Sequence, residues 1–163
     1  MINNDVLRSI RYMLDLSDAT VIGIVKLADP DFAIEDAQVK AFLKKEEDPD
    51  RLECSDLVLA HFLDGLIVHC RGKNESQTAR PIAKRITNNL VLKKLRVAFE
   101  LKDVDMHRTF EDAGFSVSKH ELSALFRQSD HRNFRQCGDQ MLRNFLKGLT
   151  LRVRGNQREC DLQ

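Results

Sequence analysis

The chain has 163 residues, 42% of them apolar and 31% charged, with 26 Lys and Arg balanced by 25 Asp and Glu for a net charge of +1. Such a composition can bury a real core and excludes a disordered chain. No run of about 18 apolar residues occurs, which excludes a membrane-spanning helix.

Seven glycines, three prolines and abundant Leu, Lys, Arg, Glu and Ala favour helix over strand. The N-terminus (Met1-Ile2-Asn3-Asn4-Asp5) has no basic stretch followed by an apolar one, so no export signal is expected. A first helix is predicted from an N-cap at Asn3 or Asn4, with Val6, Leu7, Ile10 and Leu14 in one apolar stripe. A second starts at Asp18 as N-cap and leaves through Ala28-Asp29-Pro30-Asp31-Phe32, where proline cannot continue the helix. A third follows Glu35, a poor cap, with Ile34 and Val39 as a hydrophobic staple. The fourth follows a Ser55 cap, has Cys54 and Leu59 as its staple, and carries Gly65 mid-helix.

Residues 73–87 are polar around Pro81 and read as a linker. The same four elements then recur. Asn88 or Asn89 opens a helix with Val91, Leu92, Leu95 and Phe99, and Asp103 caps the next. Gly114 ends that helix in a left-handed turn, Ser118-x-x-Glu121 forms a capping box, and a last helix follows Cys137 and Gly138. Residues 156–163 lack an apolar period and are expected to be a flexible tail.

The recurrence is a duplication. Between residues 3–18 and 88–103, Asn3, Asn4, Val6, Leu7, Arg11, Leu16 and Asp18 return as Asn88, Asn89, Val91, Leu92, Arg96, Leu101 and Asp103. Between residues 54–72 and 137–155, nine of nineteen positions are identical, against about one expected from composition. The offset falls from 85 to 83 because the Asp-Pro-Asp turn of the first copy is two residues longer than the Gly114 turn of the second. The predicted fold is therefore all-α: two tandem four-helix repeats, residues 1–72 and 88–155, packed as a pseudo-symmetric helical bundle.

The segments NNDVLRSIRYML, CSDLVLAHFLDGLIVHCRGK, NNLVLKKLRVAFELK and CGDQMLRNFLKGL resemble the YehS-like family of small bacterial proteins of unknown function with a duplicated helical domain. The resemblance spans roughly residues 1–155 and implies a bacterial cytoplasmic protein. It brings no catalytic or binding residues with it.

Shared polar positions call for a reason beyond the core. Asn3/Asn88 and Asp18/Asp103 are explained as helix caps, and Asp56/Asp139 as first-turn carboxylates favoured by the helix dipole. Arg11 and Arg96 lie mid-helix, and the expected role is an ion pair with Asp56 and Asp139, the alternative being anion contacts. Gly65 and Gly148 cost their helices about 1 kcal/mol each, so a close crossing is expected there, either of the two fourth helices or of a fourth helix and its neighbour. Cys54 and Cys137 fit buried staple positions as free thiols. Cys70, His61 and His69 lie near Cys54 but show no metal-ligand spacing, and no cofactor or metal is expected.

Charge is uneven along the chain. Residues 1–72 hold 8 Lys and Arg against 14 Asp and Glu, a net −6; residues 73–163 hold 18 against 11, a net +7. Either the halves attract each other, or the second repeat offers a basic surface including Lys93, Lys94, Arg108, Arg127, Arg132, Arg135, Arg143 and Lys147. Residues 131–135 mix Arg132 and Arg135 with Phe134, as single-strand binders do. No catalytic constellation is present. The expected function is a non-enzymatic module that binds another macromolecule, a protein first, across a surface built by both repeats. A nucleic-acid binder using the second repeat is the main alternative, and an uncharacterised enzyme the second. Candidate polar contacts are Arg11, Arg96, Arg132, Arg135, Lys93 and Lys94.

Overall fold

A computed structural model describes residues 1–73 and 81–161, with side chains of the last helix described through residue 156. Its first four helices are α1 (Asn3–Leu14), α2 (Asp18–Ala28), α3 (Asp36–Phe42) and α4 (Asp56–Arg71). The second four are α5 (Asn88–Ala98), α6 (Asp103–Asp112), α7 (Lys119–Leu125) and α8 (Asp139–Asp161). The described residues contain no strand. Equivalent side chains sit in equivalent places: Val6 and Val91 are each 1% exposed, Leu63 is 1% and Leu146 is 3%.

The repeats pack reciprocally. The first helix of each lies against the fourth helix of the other, α1 on α8 and α4 on α5, as a pseudo-two-fold arrangement requires. Within each repeat the second helix covers the fourth, α2 on α4 and α6 on α8. Gly65 and Gly148 make those last crossings possible. A Cβ built on Gly65 would lie 1.8 Å from the Ile24 carbonyl oxygen, and one on Gly148 would lie 1.8 Å from the Thr109 carbonyl oxygen. Ile24 and Thr109 are themselves counterparts, so one backbone-to-backbone contact has been copied. The expected crossing is thus a fourth helix with its own second helix, not with the other fourth helix.

Turns repeat as well. Asp15 and Glu100 each take φ 52°, ending α1 and α5. The following Leu16 and Leu101 donate backbone N–H bonds of 3.0 Å to the Arg11 and Arg96 carbonyls. Gly114 is left-handed, φ 76°, as its turn requires. Ser118 forms its capping box, accepting from Glu121 N at 3.1 Å while Glu121 accepts from Ser118 N at 3.4 Å. Glu35 is supported in part, its N–H donating to Gln38 Oε1 at 2.9 Å.

Three expectations are corrected. The asparagine pairs are not caps: Ile2 occupies the N-cap position of α1, and Thr87 caps α5 by accepting from Leu90 N at 3.1 Å. Asp18 and Asp103 are the first residues inside their helices. Ser17 caps α2, and the Asp105 carboxylate accepts the Lys102 N–H at the start of α6. The last helix continues to Asp161 rather than stopping at Gly155, since Gln157, Arg158 and Glu159 favour helix without any apolar period. Of the expected linker, residues 74–80 lie outside the described residues, as do 162–163 of the expected tail. The end of the linker is fixed: Ile86 packs on the core and its N–H donates to Asp56 Oδ2 at 3.3 Å.

Candidate functional site

The asparagines released from capping hold each repeat together. Asn4 Nδ2 donates to the Phe42 and Leu52 carbonyls at 3.0 and 2.7 Å, and its Oδ1 accepts from Cys54 N at 2.9 Å. Asn89 makes the same three bonds, to the Leu125 and Arg135 carbonyls (both 2.9 Å) and from Cys137 N (2.8 Å). Asn3 and Asn88 reach Asp56 and Asp139 at 2.7 and 2.8 Å. Those carboxylates are therefore occupied, and Asp139 also takes the Met1 ammonium. That ammonium and the Asn88 amide hold the Asp139 carboxyl below its ordinary range.

Arg11 and Arg96 accordingly pair elsewhere than expected. Arg96 donates from Nη2 to Asp103 at 2.6 Å and from Nε to the Leu101 carbonyl at 3.1 Å, and its guanidinium lies 4.8 Å from the Phe126 ring centroid. Arg11 is looser. Its Nη2 stands 3.6 Å from Asp18 Oδ1, and its buried Nε has no partner. An ion pair bracing the first helix is thus present in both repeats, but its acid belongs to the second helix.

The other candidate residues do not converge. Lys94 joins the repeats through Asp64 at 2.5 Å, in the seam between α4 and α5, while Lys93 is exposed. Arg135 pairs with Glu121 at 3.1 Å, and Arg132 is exposed on the loop between α7 and α8. Nor does the charge asymmetry vanish into the interface. Among the described residues, Lys94–Asp64 is the one side-chain ion pair that joins a base of repeat 2 to an acid of repeat 1.

What the sequence reading missed lies between α1 and α8. Here a groove of about 600 Å³ is lined by Asp5, Arg8, Ser9 and Tyr12 of α1 and by Arg143, Leu146, Lys147, Thr150, Leu151 and Arg154 of α8. Arg143 and Lys147 stand among the expected basic residues; Arg8 and Arg154 do not. Arg154 is fixed by bonds to the Tyr12 carbonyl at 3.1 and 2.6 Å and stacks 3.9 Å from the Tyr12 ring centroid. Arg8 bonds the Lys44 carbonyl, leaving its Nε without a partner. Tyr12 and Leu151 are 61% and 53% exposed.

The pseudo-two-fold supplies a comparison within one molecule. The same positions in the α4–α5 seam hold Val97 for Tyr12, Ala60 for Arg143, Ile67 for Thr150 and Val68 for Leu151. Ala60 is 3% exposed, whereas Arg143 is exposed. The pair Lys94–Asp64, which bridges the seam, is replaced in the groove by Ser9 and Lys147. A cation stands where the seam has an anion, and it has no carboxylate opposite. The signal lies in positions where the copies differ, such as Tyr12 against Val97 and Lys147 against Asp64.

The cysteines carry no chemistry of this kind. Burial, reinforced by Asp56, pushes the Cys54 thiol up to about 12, and burial and Asp139 push Cys137 up to about 11. Both are free thiols held protonated at neutral pH. Buried His61 is accounted for by its Nδ1 lying 2.7 Å from the Leu57 carbonyl and its ring stacking on Phe32 at 4.1 Å. Among the described residues no three His, Cys, Asp or Glu side chains gather as metal ligands, and no helix is long and apolar enough to cross a membrane.

A family described as "Protein of unknown function (DUF1456)" matches residues 3–72 and again residues 88–155. The chain is also 45% identical over 152 residues to "Uncharacterized protein YehS" of Escherichia coli (strain K12), covering 93% of this chain and 96% of that protein. No solved structure matches at a significant level.

Proposed function

The chain belongs to the DUF1456 family, and from that premise we propose a non-enzymatic interaction module of the bacterial cytoplasm whose α1–α8 groove binds an acidic, amphipathic segment of another protein. One observation carries the reading: of two equivalent inter-repeat interfaces, one is bridged between its helices by Lys94–Asp64, whereas the other is joined by the Met1 ammonium and Asp139 at the start of α8 and leaves a basic, partly apolar groove beside that pair. Four basic side chains (Arg8, Arg143, Lys147, Arg154) stand against one carboxylate, Asp5, around Tyr12, Leu146 and Leu151, beside Met1, whose ammonium is taken by Asp139. An apolar floor with a cationic rim suits a helix laid in by its apolar face, its acidic residues meeting the rim. A phosphodiester strand would need a continuous basic track, whereas Lys93, Arg132 and Arg135 lie away from the groove lining. The free thiols Cys54, Cys70 and Cys137 support a reducing compartment.

The test places a photo-crosslinking amino acid at Tyr12 or Leu151 in the full chain in bacterial cells. Discrete protein adducts are expected there and not from Val97, the counterpart of Tyr12 in the seam. They vanish in the Ser9→Lys/Lys147→Asp variant, which writes the seam's own ion pair into the groove. Adducts that persist in that variant, or none at either site, overturn the reading. Salt-sensitive oligonucleotide binding lost in the same variant replaces it with the nucleic-acid alternative.

A further inference from the structure

Arg96 lines a second cleft, apart from the groove, of about 340 Å³, where the end of α5 meets α6 and α7. Its walls include Asp103, His107, Lys119 and Arg127, with Phe126 beneath Arg96. The one carboxylate in this lining, Asp103, is already matched by Arg96 at 2.6 Å. Among the described residues Lys119 and Arg127 join no ion pair, so the cleft keeps two unmatched cations beside His107. Arg96 is pre-set. With Nε and Nη2 bonded and its plane packed on an aromatic ring, its remaining Nη1 donors need little ordering to meet a ligand.

Repeat 1 shows what this place looks like when neutralised. Its counterparts of Asp103, His107, Lys119 and Arg127 are Asp18, Ile22, Asp36 and Lys44. Asp36 pairs with Lys40 at 2.9 Å, and Lys44 approaches Asp48 at 4.0 Å and Asp50 at 3.8 Å. Every cation there has a nearby carboxylate. The same fold position is thus balanced in one copy and left cationic in the other.

We propose that the repeat-2 cleft binds a small phosphorylated molecule, its phosphate seated among Arg96, Lys119 and Arg127. Several donors on separate side chains call for an acceptor with several oxygens, and a tetrahedral dianion meets them better than a planar carboxylate. A space of this size holds a phosphate with a modest organic group. The site stands independently of the groove and of its protein partner.

The experiment is an NMR amide titration of the full chain with inorganic phosphate and with pyrophosphate, against sodium chloride at equal ionic strength. Saturable shifts are expected at the amides of Arg96, His107, Lys119 and Arg127, with none around Arg11 and Asp18. Substituting the repeat-1 residues, His107→Ile with Lys119→Asp, weakens binding at least about tenfold, the loss of roughly one charged contact. Should that double variant lose its native spectrum, Arg127→Gln at the rim serves with the same expected loss. Shifts reproduced by chloride, unchanged by these variants, or equal in the two repeats overturn the proposal. So does an oligonucleotide that binds this cleft while pyrophosphate leaves it unmoved.

Discussion

The α1–α8 groove and the α4–α5 seam are built from matching helix positions and have diverged to opposite ends. In the seam the positions are apolar, Ala60, Ile67, Val68 and Val97, and Lys94 is fastened to Asp64 at 2.5 Å. In the groove the same positions carry Arg143, Thr150, Leu151 and Tyr12, and the bridging pair has become Ser9 and Lys147. The framing helices correspond except that α8 runs on past Gly155, where α4 ends at the matching Gly72, so most of the difference is written in side chains. A duplication frees one of two equivalent interfaces from the task of joining the halves, provided the other holds. That lesson depends on the two frames being equal, and the predictions below test that equality.

The largest effect belongs to the helix crossings. Gly65→Ala and Gly148→Ala each drive a methyl group into a carbonyl oxygen that belongs to backbone and cannot rotate away. Each substitution is expected to cost about 3 kcal/mol or more in urea-monitored unfolding, at the upper end of overpacking. Equal losses keep the frames equivalent. A repeat that tolerates alanine has its second and fourth helices farther apart than described, and the comparison fails there first.

Next come the asparagines that tie the first helix to the chain before the fourth. Asn4→Ala leaves the Cys54 N–H and the Phe42 and Leu52 carbonyls without their partner. With Asn4 only 2% exposed, a loss of about 2–4 kcal/mol is expected in the same assay. Asn89→Ala breaks the matching bonds in a half-buried place where water can replace them. A smaller loss of about 1–2 kcal/mol follows. A reversed order would show that the second repeat, not the first, holds the tighter frame.

Much of this frame is legible in the sequence, because duplication marks it twice. The eight helices, the stripe from Val6 to Ile10, the Gly114 turn and the glycine crossings all follow from period, cap and turn chemistry. The roles of shared polar residues do not. An asparagine at a helix start looks like a cap, and nothing local says that a loop some fifty residues later needs three hydrogen bonds. Arg96 was assigned the wrong acid for a similar reason. Asp139 is filled by Asn88, and this leaves Asp103, seven residues away along the chain, as the partner. The groove was hidden for the opposite reason. Its Tyr12, Arg143, Lys147, Thr150 and Leu151 stand where the copies disagree, whereas Arg8 and Arg154 match Lys93 and Arg71, and its cations look like ordinary solvated charges until the pseudo-two-fold sets each beside its counterpart.

The cysteines sharpen the comparison by the smallest amount, through pH. Burial raises both thiols above the ordinary 9.0, Cys54 to about 12 and Cys137 to about 11. Below about pH 9 both folded and unfolded chains hold these protons, and the contribution to stability is complete. Above it the unfolded chain releases them first, so stability falls as pH rises, by up to about 1.4 kcal/mol per pH unit for each thiol until the folded pKa is reached. Cys54→Ala and Cys137→Ala remove one such term each. Every variant starts from a lower plateau because a small buried side chain is lost, yet its stability declines less steeply above pH 9 than the parent's. The gap between parent and variant should therefore narrow with pH, and go on narrowing to higher pH for Cys54 than for Cys137. Parallel curves would mean that these thiols meet water as freely folded as unfolded, and the two staples could no longer be counted among the features that the repeats share.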